Sequence, residues 1–310
     1  MMNYFIQKIN PGTLDIVVRK INPNSDQDEQ NGQENQQSQK ENFVEEPPFF
    51  ADSDSLSCDI TVRLPIHHIP IHQKRLKIKF LGIITNLIDG NVTVFSKDVK
   101  KIDEPLTITK TRTFNFDFNN VKFPYDTFHG HLFKITYEIF TRLERSNGSM
   151  TETKEITARS APVHLSINNR IKKIAMGLSG VIGVECSLNK EEYDLTDTIV
   201  GSVKFLFVNA VIVSARVALI QLERWQHTVL GQENARTITD IEILDGDILK
   251  GEQVPFRIFL KKLEIPPTCE SIESFYSIKY VLRIFVRSTT NHEFFGSLPI
   301  GIHRISKPDA

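Results

Sequence analysis

What most limits the fold of this chain is a two-residue alternation of apolar and polar side chains, carried in both halves at matching spacing. Ile60, Val62 and Leu64 alternate with Asp59, Thr61 and Arg63, and Leu76, Ile78 and Phe80 with Lys77 and Lys79. Phe114, Phe116 and Phe118 flank Asn115 and Asp117, and Phe133, Ile135, Tyr137 and Ile139 share one face of the next run. Successive strand side chains point to opposite faces, so this pattern predicts strands with one buried face, as in an antiparallel sandwich. The second half repeats it: Val254, Phe256, Ile258 and Leu260, then Ile278, Tyr280, Leu282, Ile284 and Val286. From Phe116 to the Ile135-Thr-Tyr137-Glu-Ile139 run is 19 residues, and from Ile258 to Ile278-Lys-Tyr280-Val-Leu282 is 20. That agreement predicts a duplicated all-β plan of two tandem sandwiches.

Between the halves, Leu188–Val208 reads as the opening hairpin of the second sandwich. One strand-like run ends at Cys186 and another begins near Thr198, across a polar turn holding Asp194 and Asp197. Gly201 sits inside the second run, where a missing side chain marks a bulge or a close backbone approach. Val203–Val208 and Val211–Leu222 are apolar on both faces for much of their length and are expected as central strands. These readings place a first sandwich at 1–167, a linker at 168–178 and a second sandwich at 179–310. The weak helical pattern at Asn169–Gly177 is taken as that linker. Residues 22–48 are dominated by Asn, Gln, Glu and Ser. Such a composition buries too little apolar area to offset its ordering entropy, so a disordered insertion is expected there.

With 310 residues the chain can build two ordinary cores. Thirty-seven Lys and Arg against 38 Asp and Glu give no net field to gather nucleic acid. Basic clusters such as Lys74-Arg75-Lys77-Lys79 are interrupted by apolar residues, as the polar face of a strand would be. No apolar run approaches the ~18 residues of a membrane span, and no signal peptide is evident at the start. Three scattered cysteines, at 58, 186 and 269, fit a reducing compartment. A soluble intracellular protein is expected.

Catalytic patterns are absent. His67, His68 and His72 share a proline-bounded loop with no carboxylate or cysteine at ligand spacing, and His129 with His131 lacks a third ligand. Gly177-Leu-Ser-Gly180 lacks both the second glycine and the strand-to-helix setting of a nucleophile turn. No enzyme activity, cofactor or metal is expected, which leaves sheet edges and loops as the working surfaces. In Ile238–Asp247, Ile243 and Leu244 are adjacent just before the turn pair Asp245-Gly246, so in a regular strand only one of them can be core.

Several of these stretches resemble the vacuolar protein sorting 26 family, the arrestin-like small subunit of the retromer coat. They include Ile71-His72-Gln73 with Ile78-x-Phe80-x-Gly82, Tyr125-Asp-Thr-Phe-x-Gly130, and Asn189-Lys-x-x-Tyr193 through Ile199-Val200-Gly201. Further matches are Glu242-Ile-Leu-Asp-Gly246, Lys250-Gly-Glu252, and Pro267-Thr268 with Ser277-Ile-Lys-Tyr280. The resemblance implies an arrestin-like fold and a peripheral coat protein on the cytosolic face of endosomes. It implies partner contact through Ile243 and Leu244, which stand where the family has Ile-Met, on the large α-solenoid subunit vacuolar protein sorting 35. It also implies a groove for sorting nexins and cargo sorting signals at Phe294 and Phe295, although Gly296 and Pro299 depart from the family pattern there. The insertion is not a family feature. Ser55-Leu-Ser-Cys58 replaces the family's Ser-Val-Ser-Gly. The alternatives are the related subunit of the retriever complex, which Tyr125–Gly130 also resembles, and a free arrestin-like adaptor scaffold. The second would carry Pro-Pro-x-Tyr or clathrin-type tail motifs; Pro47-Pro48-Phe49-Phe50 lacks the tyrosine, and the chain ends at Ala310 with neither.

Overall fold

The computed structural model describes residues 12–21, 49–51, 54–64, 70–163, 170–178, 180–226, 231–290 and 292–306. The insertion at 22–48, His67, His68 and Ser179 lie outside them. The chain forms two compact units, Met1–His129 with Lys134–Ala161, and Gly130–Phe133 with Pro162–Ala310. In the first, β1 (Thr13–Ile21), β2 (Phe49–Ala51), β3 (Ser55–Arg63), β4 (Ile71–Asn86) and β5 (Val92–Ile102) precede β6 (Leu106–Ile108) and β7 (Arg112–Phe118). Then follow β8 (Phe128–His129), β9 (Phe133–Arg145) and β10 (Gly148–Arg159). One sheet has the order β1-β3-β7; the other runs β2-β10-β9-β4-β5, with β6 on β4 and β8 on β9.

The alternation becomes burial. Leu56, Cys58, Ile60 and Val62 of β3 all point inward and are fully buried, while Leu76, Ile78 and Phe80 do the same on β4. Phe80 meets Phe118 of the other sheet at 6.3 Å between ring centroids and stacks on Tyr137 at 6.1 Å. These contacts make the unit a sandwich with an aromatic core.

The second unit has β11 (Lys172–Leu178), β12 (Ile182–Leu188), β13 (Glu192–Asp194), β14 (Thr198–Val208), β15 (Ile212–Trp225) and β16 (Gln232–Asp245). It continues with β17 (Gln253–Phe259), β18 (Cys269–Ile272), β19 (Tyr276–Ser288) and β20 (Glu293–His303). Its sheets are β11-β12-β14-β17 and β13-β20-β19-β15-β16, with β18 on β19. The repeat seen in sequence is therefore structural, since β7 and β17 each end a smaller sheet while β9 and β19 each lie inside a larger one.

Two expectations need correction. The segment read as a linker is, from Lys172 onward, an edge strand paired with β12 from Lys172↔Leu188 to Leu178↔Ile182. Consequently β12 and β14, which do pair as expected, are not the opening of this unit. Between them β13 crosses to the other sheet and runs parallel to β20. That crossing is fixed by side chains: Tyr193 donates to Asn189 Oδ1 at 2.9 Å, and Asp197 accepts from Lys190 at 2.7 Å and from the Asp194 amide at 3.0 Å.

β15 fulfils the central-strand expectation, with Val217 and Leu219 buried on one face and Ala218 and Ile220 on the other. β14 does so in part: it lies between β12 and β17, but Val200 and Leu206 reach solvent. Gly201 marks a close approach and not a bulge. A Cβ there would lie 2.5 Å from the Phe256 ring and 2.8 Å from the Ser187 carbonyl oxygen, and that oxygen belongs to the partner strand and has little room to move. Gly201→Ala is expected to destabilise the second unit by about 1–3 kcal/mol, read as a lower midpoint in urea unfolding; an unchanged midpoint would contradict the close-packing account.

Candidate functional site

β16 is the edge strand of the larger sheet in the second unit, and its ladder to β15 is broken twice. Leu244 pairs with Ala215 and Glu242 with Arg216, so Ile243 is an extra, unpaired residue; Ile238 is a second one, between Thr239↔Leu219 and Thr237↔Ile220. A bulge interrupts the strict alternation of faces and bends the strand. Ile243 and Leu244 are accordingly both half-buried, where a regular strand would hide one and expose the other.

The following loop is held by backbone bonds. The Gly246 amide donates to Val213 O at 2.7 Å and the Gly251 amide to Phe205 O at 2.7 Å, both glycines having positive φ. The amide of Leu249 donates to Glu252 Oε2 at 2.8 Å, and its side chain is 73% exposed while Ile248 is buried. Val211, at 55% exposure, and Leu206 lie on the segments this loop is bonded to. The sequence reasoning stopped at Ile243 and Leu244 and missed Leu249. The apolar pair Ile248-Leu249 right after a glycine turn was the available signal.

Phe294 and Phe295 sit on β20, opposite Val286 and Phe285 of β19. Phe294 is half-buried and Phe295 is 63% exposed. They border a cavity of about 170 Å³ whose other walls include Met176, Ile182, Val184 and Val286. Gly296 has a local correlate: a Cβ there would lie 2.0 Å from Met176 Sδ, so a larger residue would oblige that flexible side chain to move.

On the same sheet face as Phe285 and Phe295, guanidinium groups lie over the rings. Arg216 is 4.0 Å from the Phe285 centroid and Arg283 is 5.2 Å from that of Phe295, with the two rings 6.2 Å apart. Partial burial alone would lower the Arg216 pKa, but bonds to Asp240 and to Glu293, at 3.2 Å, hold it above the usual guanidinium range.

His72 and His129 have separate partners. His72 bonds Thr107 Oγ1 at 3.1 Å and His129 pairs with Glu155 at 3.2 Å. Among the described residues no three His, Cys, Asp or Glu side chains are grouped to hold a metal, and no helix is long and apolar enough to cross a membrane. Burial pushes the Cys58 and Cys186 thiols up to about 12, Asp117 and Asp59 adding to the rise at Cys58. A raised thiol pKa keeps the group protonated until pH approaches that value, so near pH 8 the thiolate fraction of each is roughly a thousandfold below that of an unperturbed thiol. Iodoacetamide at that pH is expected to alkylate Cys269 in the native protein and to spare Cys58 and Cys186 until denaturant is added, as read by peptide mass. Native labelling of either buried cysteine would contradict it.

Residues 15–290 match the family described as Vacuolar protein sorting-associated protein 26. The chain is similar to Vacuolar protein sorting-associated protein 26B of Arabidopsis thaliana, 28% identical over 265 residues, covering 85% of this chain and 86% of the relative. Its counterpart in Homo sapiens is 28% identical over 247 residues, covering 79% and 73%, and 26B-A of Xenopus laevis is 28% identical over 256 residues, covering 82% and 76%. The paired sandwiches agree with the arrestin-like architecture expected of that family. On this match, which spans both units, the chain belongs to the vacuolar protein sorting-associated protein 26 family of protein-sorting subunits.

Proposed function

We propose that this chain is a non-enzymatic subunit of a retromer-type coat in retrograde transport from endosomes to the Golgi or plasma membrane. It acts by holding partners together: the α-solenoid subunit vacuolar protein sorting 35 at the end of the second unit that carries Ile243 and Leu244, and sorting nexins with cargo signals at Phe294 and Phe295. Membrane residence on the cytosolic face of endosomes follows from those partners.

The observation that carries this reading is the bulged edge of β16. Ile243 and Leu244 are held half-open side by side on a strand whose loop is pinned by backbone bonds. Such a contact needs little reordering when a partner arrives, which favours affinity. At the second site, the cavity beside Phe294 takes one apolar side chain of an extended segment, with Phe295 stacking outside it.

The test is Ile243→Asp combined with Leu244→Asn. A buried aliphatic anchor is worth about 1.5–3 kcal/mol, so losing two weakens the solenoid complex by at least about 100-fold in a titration with the purified partner. The thermal transition should move little, because neither residue is core. Loss of folding in the double variant, or capture of a different solenoid by the wild-type chain, would remove this assignment.

A further inference from the structure

Six large hydrophobic residues are exposed among the described residues of the first unit, and five of them lie on one hairpin. Leu87 and Ile88, 46% and 49% exposed, are in the turn between β4 and β5; Val92, Val94 and Val99, between 37% and 59%, are on β5. The register sets the three valines on a single face. Val92 is opposite Thr85, Val94 opposite Ile83 and Val99 opposite Lys79, and on that face Lys97 is opposite Leu81 and Lys101 opposite Lys77. A bulge at Phe95 keeps this order, since its ring covers Gly82 and contacts Tyr137 at 5.6 Å. The outer face of the hairpin is thus aliphatic toward its tip and cationic farther along the strands.

We propose that this face docks on an anionic lipid bilayer, with the tip entering the interfacial region and the lysines reaching the headgroups. Lys97 is three residues from Val94, roughly 10 Å along a strand, which matches the ~5–10 Å depth to which interfacial elements bury their apolar side. Lysine stems extend along apolar surface while keeping the ammonium at the polar level. Lys77 and Lys101 face each other across strands, an unfavourable placement unless an anion is shared between them, and Asp103 answers only Lys101 and Arg75. Among the described residues no carboxylate pairs with Lys77, Lys79 or Lys97. Edge lysines also deter strand pairing, which would account for Lys97 and Lys101, and Lys79 lies 5.2 Å from the Phe140 ring centroid, but neither accounts for Lys77 or for the aliphatic tip. The single acid at the turn, Asp89, is already bonded by the Asn91 amide at 2.9 Å and side chain at 2.7 Å. Sequence spacing reads Lys77 and Lys79 as the polar face of a strand, which they are; the register adds the neighbours that make that face amphipathic. The inference is independent of the proposed solenoid contact.

The experiment is flotation of the full chain with vesicles of phosphatidylcholine alone or with about 30 mol % phosphatidylserine, in low and in ~0.5 M salt. Binding is expected for the anionic vesicles only, weakening with salt. Leu87→Asp with Ile88→Asp, and separately Lys97→Glu with Lys101→Glu, should each lower the bound-to-free ratio about tenfold, while Val17→Asp, at the remaining exposed aliphatic, should not. All four replaced residues are exposed, and an unchanged melting curve verifies folding. The proposal is overturned if the wild-type chain ignores anionic vesicles, or if neither pair of substitutions alters binding. A concentration-dependent dimer that the same substitutions dissolve, without vesicle binding, would overturn it in favour of a second copy on this face.

Discussion

Taking a phenol ring wholly out of water obliges its hydroxyl to find an acceptor inside the protein, and each unit of this chain is organised around one such ring. Tyr137 donates to the Tyr125 carbonyl at 2.8 Å, and Tyr280 to the Pro266 carbonyl at 2.7 Å while accepting from Gln221 at 2.9 Å. In both cases the acceptor lies on the loop leading from the last strand of the smaller sheet to a strand of the larger one. A hydrogen bond of this kind adds only about 1 kcal/mol net, but leaving a buried hydroxyl unpaired costs about 1–3 kcal/mol. The loop therefore has one favourable course, and the two sheets are held at the separation that the core side chains require. Around Tyr137 the rings of Phe80, Phe95 and Phe123 complete the packing at 5.0–6.1 Å.

With the interior settled this way, the outer faces are free to differ, and they do so where a ladder is broken. The bulge at Phe95 turns one ring inward and leaves the rest of β5 with an amphipathic outer face. The bulge at Ile243 spoils the alternation that would otherwise bury one aliphatic and expose its neighbour. Both bulges are on edge strands, where an extra residue costs the ladder on one side only and reduces pairing with other chains. One structural device thus yields two surfaces of unlike chemistry: a lysine-bordered aliphatic face in the first unit, and an aliphatic pair beside the exposed Glu242, Asp245 and Asp247 in the second.

The parts of this plan that depend on two-residue periodicity were legible in the sequence. Ile60 and Val62, Phe114–Phe118 and Ile278–Val286 are buried on the faces their spacing predicts, while Leu64, expected with the first pair, lies past the end of β3 and is half-buried. What depends on register was not. Ile243 becomes a bulge only because Ala215 and Arg216 take Leu244 and Glu242, and no local pattern records that pairing. The strand Lys172–Leu178 escaped notice because Ile174 and Met176 are its only clear apolar alternation, and Gly177 ahead of a turn reads as a break. Gly201 was legible only as a bulge or a close approach; the unbroken ladders through it and its neighbours Phe256 and Ser187 decide for the second.

Register also bears on a departure from the family pattern. Gly296 lies under Met176, and a Cβ there would oblige the Met176 thioether to move aside. The space beside Phe294 is about 170 Å³, room for one side chain, whether aliphatic or a single aromatic ring. If sorting signals bind there, discrimination rests on the fit of a single side chain, and a methylene more or less in an apolar pocket is worth only about 1–3 kcal/mol. One such pocket cannot by itself select a signal from the many apolar segments in a cell. Selectivity of the assembled coat would then have to come from a second contact made at the same time. Simultaneous weak contacts raise net affinity steeply when the spacing fits, and not at all when it does not. Small, separate surfaces suit that mode of recognition better than one deep site would.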